Sequence, residues 1–178
     1  MNKRKLPIPV IIFLILGFYV CFFETGGKNK GKSPDRIEKA LGIIPEDIQE
    51  IVLKRQDLRV ALENVANGWR IKEPFEADAN NSIVHDMLAV FDHGIVRVIE
   101  ENPSDLKLFG LASPRYELTI KGRKDKGFRT LLIGDDAPGN LSCYAMVDGS
   151  TRVILLGVRY RQEFDRALAD FTRAPGER

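Results

Sequence analysis

An α+β fold, a twisted antiparallel β-sheet with helices packed against it, is predicted by three features of this 178-residue sequence. Short alternating apolar runs recur between turn residues, as in Leu58-Arg59-Val60-Ala61-Leu62-Glu63 and Tyr116-Glu117-Leu118-Thr119-Ile120; a period of two gives a strand one buried and one wet face. Asn67-Gly68 separates two such runs, a strong hairpin signal because both residues tolerate positive φ. Two other stretches carry the apolar stripe of a helix: Val84, Met87, Leu88 and Phe91 in one, Phe164, Ala167, Leu168 and Phe171 in the other.

The chain begins differently. From Leu6 to Phe23 it runs eighteen residues without a charge, about 27 Å as a helix and close to the hydrocarbon thickness of a bilayer. This predicts a transmembrane helix over 6–23, preceded by a basic cytoplasmic tail over 1–5. Lys3, Arg4 and Lys5 abut the segment and favour a cytoplasmic N-terminus, with the rest of the chain outside the cytoplasmic membrane. The bulky run Phe18-Tyr19-Val20-Cys21-Phe22-Phe23 offers no small-residue cleavage point, so the segment is read as a retained signal-anchor. Residues 24–36, rich in Gly and Lys, read as a flexible spacer, and 37–178 as the extracytoplasmic domain.

Within that domain, strands are expected over 48–54, 58–63 and 69–72, ending at Pro74. Asp78 is a candidate N-cap for the first helix and Gly94 its terminator. A β-branched strand, Ile95 to Ile99, follows. Asn102-Pro103 then opens a short helical turn that exits at Gly110. Strands are expected next at 115–121, 128–133, 141–147 and 152–156, before the closing helix. The pattern is two β-meander-then-helix halves joined by the Ile95 strand.

Charge narrows the function classes. Six of the 27 Lys and Arg, but one of the 25 acids, precede residue 34, leaving 21 basic against 24 acidic residues beyond it. A domain carrying about −3 with no basic stripe and no interleaved aromatics argues against nucleic-acid binding. Cys21 falls in the expected anchor and Cys143 far beyond it, so no intramolecular disulfide is expected.

The segments Asn67 to Pro74, Asp105 to Pro114, Leu131 to Gly149 and Val153 to Leu168, in that order and spacing, resemble a bacterial family known as domain of unknown function 4340, over about residues 48–172. The family pattern places an aromatic, usually Tyr, before Gly-Leu, where this chain has Phe109 and so lacks the hydroxyl; it also has a Gly at Gly134 and an aromatic at Tyr144. The resemblance implies a membrane-anchored extracytoplasmic protein in the company of ABC-type transport components. It supplies no catalytic residues.

Individual residues with possible chemistry have structural readings. In Gly110-Leu111-Ala112-Ser113-Pro114, the Gly permits a left-handed turn and Pro biases Ser113 to extended backbone; nothing adjacent in sequence activates Ser113 as a nucleophile. His85 and His93 on one helix would lie about 12 Å apart along its axis, too far to share a zinc ion. Asp135-Asp136 reads as a turn between strands, too poor in ligands for calcium. Cys143 alternates with Leu141, Ala145 and Val147 and reads as a packed core residue. Trp69 beside the first hairpin turn reads as a core anchor. No metal, cofactor or catalytic site is expected. The leading expectation is a non-enzymatic interaction or assembly module, accessory to a membrane transport complex. The alternatives are a small-ligand binder with a pocket near Trp69, or a hydrolase using Cys143 or Asp135 and Asp136.

Overall fold

The computed structural model describes residues 47–123 and 127–174. The tail, anchor and spacer expected over 1–36 lie outside the described residues. Among those described, no helix is long and apolar enough to cross a membrane.

Among the described residues nine antiparallel strands form one sheet: β1 (Ile48–Arg55), β2 (Leu58–Val65), β3 (Gly68–Glu73), β4 (Ala77–Asp78), β5 (Arg97–Glu101), β6 (Tyr116–Gly122), β7 (Phe128–Asp136), β8 (Ser142–Val147) and β9 (Arg152–Gly157). Their order is β4-β3-β2-β1-β6-β7-β8-β9-β5. Two meanders, β1 to β4 and β6 to β9, therefore meet through their first strands, with Leu53 opposite Leu118 and Ile51 opposite Ile120. Each meander is followed by a helix, α1 (Asn81–Ala89) and α2 (Arg159–Phe171).

Alternation decides which face is buried. Along β6, Tyr116, Leu118 and Ile120 are buried while Glu117, Thr119 and Lys121 are partly exposed. The buried set joins Ile51, Leu53, Val60, Leu62, Leu131 and Ile133 under the helices. Helix α2 contributes Tyr160, Phe164, Ala167, Leu168 and Phe171, spaced so that all fall on one stripe. Edge-to-face contacts of Tyr116 and Tyr160 with Phe164, at 6.0 and 6.3 Å, fix it over the sheet. A smaller cluster, Phe109, Leu111, Met146 and Val153, packs Leu132 and Tyr144 as well. By strand alternation Tyr144 and Met146 face away from the helices, so the 3-10 turn Leu106–Phe109 covers the opposite face of the sheet.

Several boundaries differ from expectation. Helix α1 is capped by Asn80, whose side chain accepts from the Ser82 amide at 3.1 Å; Asp78 belongs to β4, opposite Arg70. The helix passes into a 3-10 turn, Val90–His93, before Gly94. The fifth strand starts at Arg97, where pairing with Leu155 of β9 begins, and not at Ile95, which is buried in the main core. Asp105, not Asn102-Pro103, caps the turn before Gly110, accepting from the Lys107 amide at 2.9 Å. Strand β7 continues to Asp136, so Asp135-Asp136 lies in a strand and not in the following turn.

Candidate functional site

Strand β7 carries one residue too many for its partner. Ile133 pairs with Ala145 and Asp136 with Cys143, three steps against two, which is a β-bulge. Simple alternation from Ile133 would send Asp136 to the face away from the helices. The bulge brings it back beside Cys143, under the first turn of α2.

There Asp136 Oδ2 accepts from Arg115 Nη1 at 3.2 Å and from Arg161 Nη1 in a shorter contact. The Asp136 side chain is 22% exposed, so both pairs are partly shielded from water. Cys143 is 2% exposed, and its Sγ donates weakly to the Leu156 carbonyl at 3.8 Å. Burial first, and the Asp136 carboxylate second, push its thiol up to about 11, against the opposing pull of Arg161 and Arg115. At neutral pH the sulfur is a protonated thiol, which is not the nucleophilic form. Nearby, Asp165 Oδ1 accepts from Tyr116 Oη at 2.6 Å and from Arg55 Nη1 at 2.8 Å. Burial, then the bond to Asp165, raises the Tyr116 phenol above its ordinary value, so it remains a donor. These two clusters clamp the polar side of α2 to the sheet end formed by Arg55, Tyr116 and Asp136.

The Gly-Leu motif packs on the same bulge. Gly110 has φ +66°, and a Cβ there would lie 2.5 Å from Asp135 Cγ and 2.7 Å from its backbone nitrogen. At Gly134 a Cβ would collide with the Phe109 carbonyl oxygen. The Phe109 ring meets Tyr144 edge-on, 5.1 Å between centroids. Phe109, Gly110, Gly134 and Tyr144, dispersed over 36 positions, thus form one interlock in which the helical turn sits backbone-on-backbone against β7.

A family model described as "Domain of unknown function (DUF4340)" matches residues 69–174. The chain belongs to this family. The DUF4340 match contains the whole interlock and both of the Asp136 arginines, while β1 and β2 precede it. No curated protein and no solved structure matches the chain.

The remaining sequence-singled residues lie elsewhere. Asp135 is exposed beside Gly110, and Ser113 is exposed in the loop before β6. His85 is exposed, and His93 lies against Arg159, Nε2 to Nη1 at 3.1 Å. Trp69 packs against the main core and lines a groove of about 540 Å³ with Asn67, Arg70, Asp78 and Asn81. Cys143 and Asp136 are thus brought together, without Asp135, Trp69 or either histidine. Arg115, Arg161, Arg55 and Asp165 were not singled out by sequence. Gly134 inside a strand-like run was the one local signal of a bulge.

Proposed function

We propose that this chain is a non-enzymatic assembly module, held at the outer side of the cytoplasmic membrane by Leu6–Phe23 and accessory to an ABC-type transport complex. The observation that carries the reading is at the bulge. Its charges are engaged in holding α2, its thiol is buried and protonated, and Leu108 and Leu141 stand out at 72% and 78% exposure. Leu108 sits on the turn locked to β7, and Leu141 is held by its carbonyl to the Val158 amide at 3.0 Å. Apolar side chains on fixed backbone suit recognition by a partner protein better than chemistry.

The test is recovery of the full chain from native membranes in mild detergent, with Leu108→Asp/Leu141→Asp beside the wild type. Transport subunits are expected to accompany the wild type and to be lost from the variant, whose melting temperature stays unchanged. A wild-type chain recovered alone overturns the reading. The Trp69 groove favours a second reading, a small-ligand binder. A shift of Trp69 fluorescence with a metabolite, abolished by Asn81→Ala, would select it.

A further inference from the structure

The two edges of the sheet are built differently. Strand β4, at one edge, has two residues, and α1 begins three positions after it. Strand β5, at the other, is held to β9 from Val96, whose amide donates to the Leu155 carbonyl at 2.9 Å, as far as Asn102, whose amide donates to the Thr151 carbonyl at 2.6 Å. Among the described residues no strand lies on its outer side. Arg97, Ile99, Glu100 and Glu101 are exposed, and Val96 is 64% exposed. An uncovered edge of this length is a template for another strand.

Strand β5 reads base, apolar, apolar, acid, acid: Arg97-Val98-Ile99-Glu100-Glu101. Laid antiparallel against a copy of itself, it brings each Arg97 to the acids of the other copy and opposes the Val98-Ile99 pairs at the centre. A parallel copy would set like charges together. The bulge at Ile99 decides which side chains meet. Arg97 pairs with Leu155 and Glu100 with Val153; these partners are two apart on β9, so Arg97 and Glu100 share one face of the sheet. Strict alternation would have put them on opposite faces. Glu101 lies opposite Arg152 within its own chain, which leaves Glu100 as the acid for a second copy.

We infer that the chain forms a two-fold dimer through β5, continuing its sheet into the second copy. With the axis perpendicular to the sheet, each Arg97 faces the Glu100 of the other copy on one side, and opposite charges across antiparallel strands attract. Both contacts occur twice by symmetry. A bulge ordinarily blunts an edge, whereas this one aligns cation and carboxylate. One strand is a small contact, so affinity is expected in the micromolar range. Leu108 and Leu141 lie outside β5 and remain open to another partner.

The test is sedimentation equilibrium of the full chain in mild detergent, across the micromolar to submillimolar range. Wild type is expected to pass from monomer to dimer. Arg97→Glu and Glu100→Arg each set like charges together at both contacts and should weaken the dimer by about tenfold or more, with melting temperature unchanged because neither side chain is buried. An equal mixture of the two variants should recover the wild-type affinity, since opposite charges meet again in the mixed pair. A wild type that stays monomeric, variants that dimerise as wild type does, or a mixture that fails to recover overturns the inference. Should either variant lose its melting transition, cross-linking decides. In a Cys21→Ser chain, Ile99→Cys is expected to join two copies on oxidation about tenfold faster than Leu58→Cys, which is exposed away from β5; equal rates overturn the inference.

Discussion

Where β7 ends, the side chains of Arg55, Arg115, Asp136, Arg161 and Asp165 are partly buried and bonded to one another. Where β7 begins, Arg129 is exposed beside Phe128, itself 61% exposed, and Arg152 lies opposite Glu101 of β5. The difference is set by what covers each end. Helix α2 starts over the Asp136 end and brings a cation and a carboxylate of its own, so charges there are withdrawn from water and must be matched. No residue of the described helices lines the groove at Arg129, and water solvates the charges there at little cost. Substitution of similar side chains should therefore cost folding stability at the Asp136 end and little at the Arg129 end.

The largest effect is expected at the contact that seats the Asp136 end. Gly134→Ala places a methyl against the Phe109 carbonyl, a backbone atom that cannot swing aside. A loss of about 3 kcal/mol is expected in urea denaturation. Gly149→Ala, in the β8–β9 turn where a Cβ meets nothing within 4 Å, carries only the strain of its φ of +76° and should cost less. If the two variants are equally stable, the interlock is not what holds this end.

Asp136→Ala comes next. It leaves Arg115 and Arg161 facing each other under α2, and a loss of about 2 to 3 kcal/mol is expected. Asp136→Asn should recover part of this by keeping an acceptor oxygen. Both are read from the denaturation midpoint at low and high salt; a loss that vanishes in salt would mean that the pairs are no better shielded than surface ones.

Cys143 gives a pH dependence confined to the same end. Its folded value of about 11 exceeds the ordinary 9.0, so the unfolded chain gives up the proton first. The contribution is complete below pH 9 and is lost as pH rises from 9 to 11, by roughly 2 kcal/mol. Cys143→Ala removes that dependence, and the difference between the two chains at pH 8 and pH 10.5 isolates it from the titration of lysines.

Residues 116–120 and the helix stripes were legible in sequence because their pattern is local and repeats with one period. Asn67-Gly68 was legible because the turn chemistry is carried by two adjacent residues. The Asp136 cluster was not. Arg115 and Arg161 lie 21 and 25 positions from Asp136, and only the inserted residue at the bulge turns the carboxylate to their side. Strict alternation would have placed it on the other face. The choice of Asn80 over Asp78 as helix cap was equally hidden. Both side chains can cap, and the pairing of Asp78 with β3 decides between them.

The smallest expected effect on folding is the most informative about the Arg129 end. Arg129→Gln/Arg152→Gln removes two charges but no ion pair within the described residues, so stability should change by less than about 0.5 kcal/mol. Arg115→Gln/Arg161→Gln makes the same chemical change at the Asp136 end. It strands a carboxylate that is 22% exposed, and should cost about 2 kcal/mol. The contrast is read by thermal denaturation of the four-glutamine set and its two halves, whose effects should add because the sites lie at opposite ends of the sheet. If the Arg129 pair proves as costly as the Arg115 pair, its guanidinium groups are structural, and cover by α2 is not what separates the two ends.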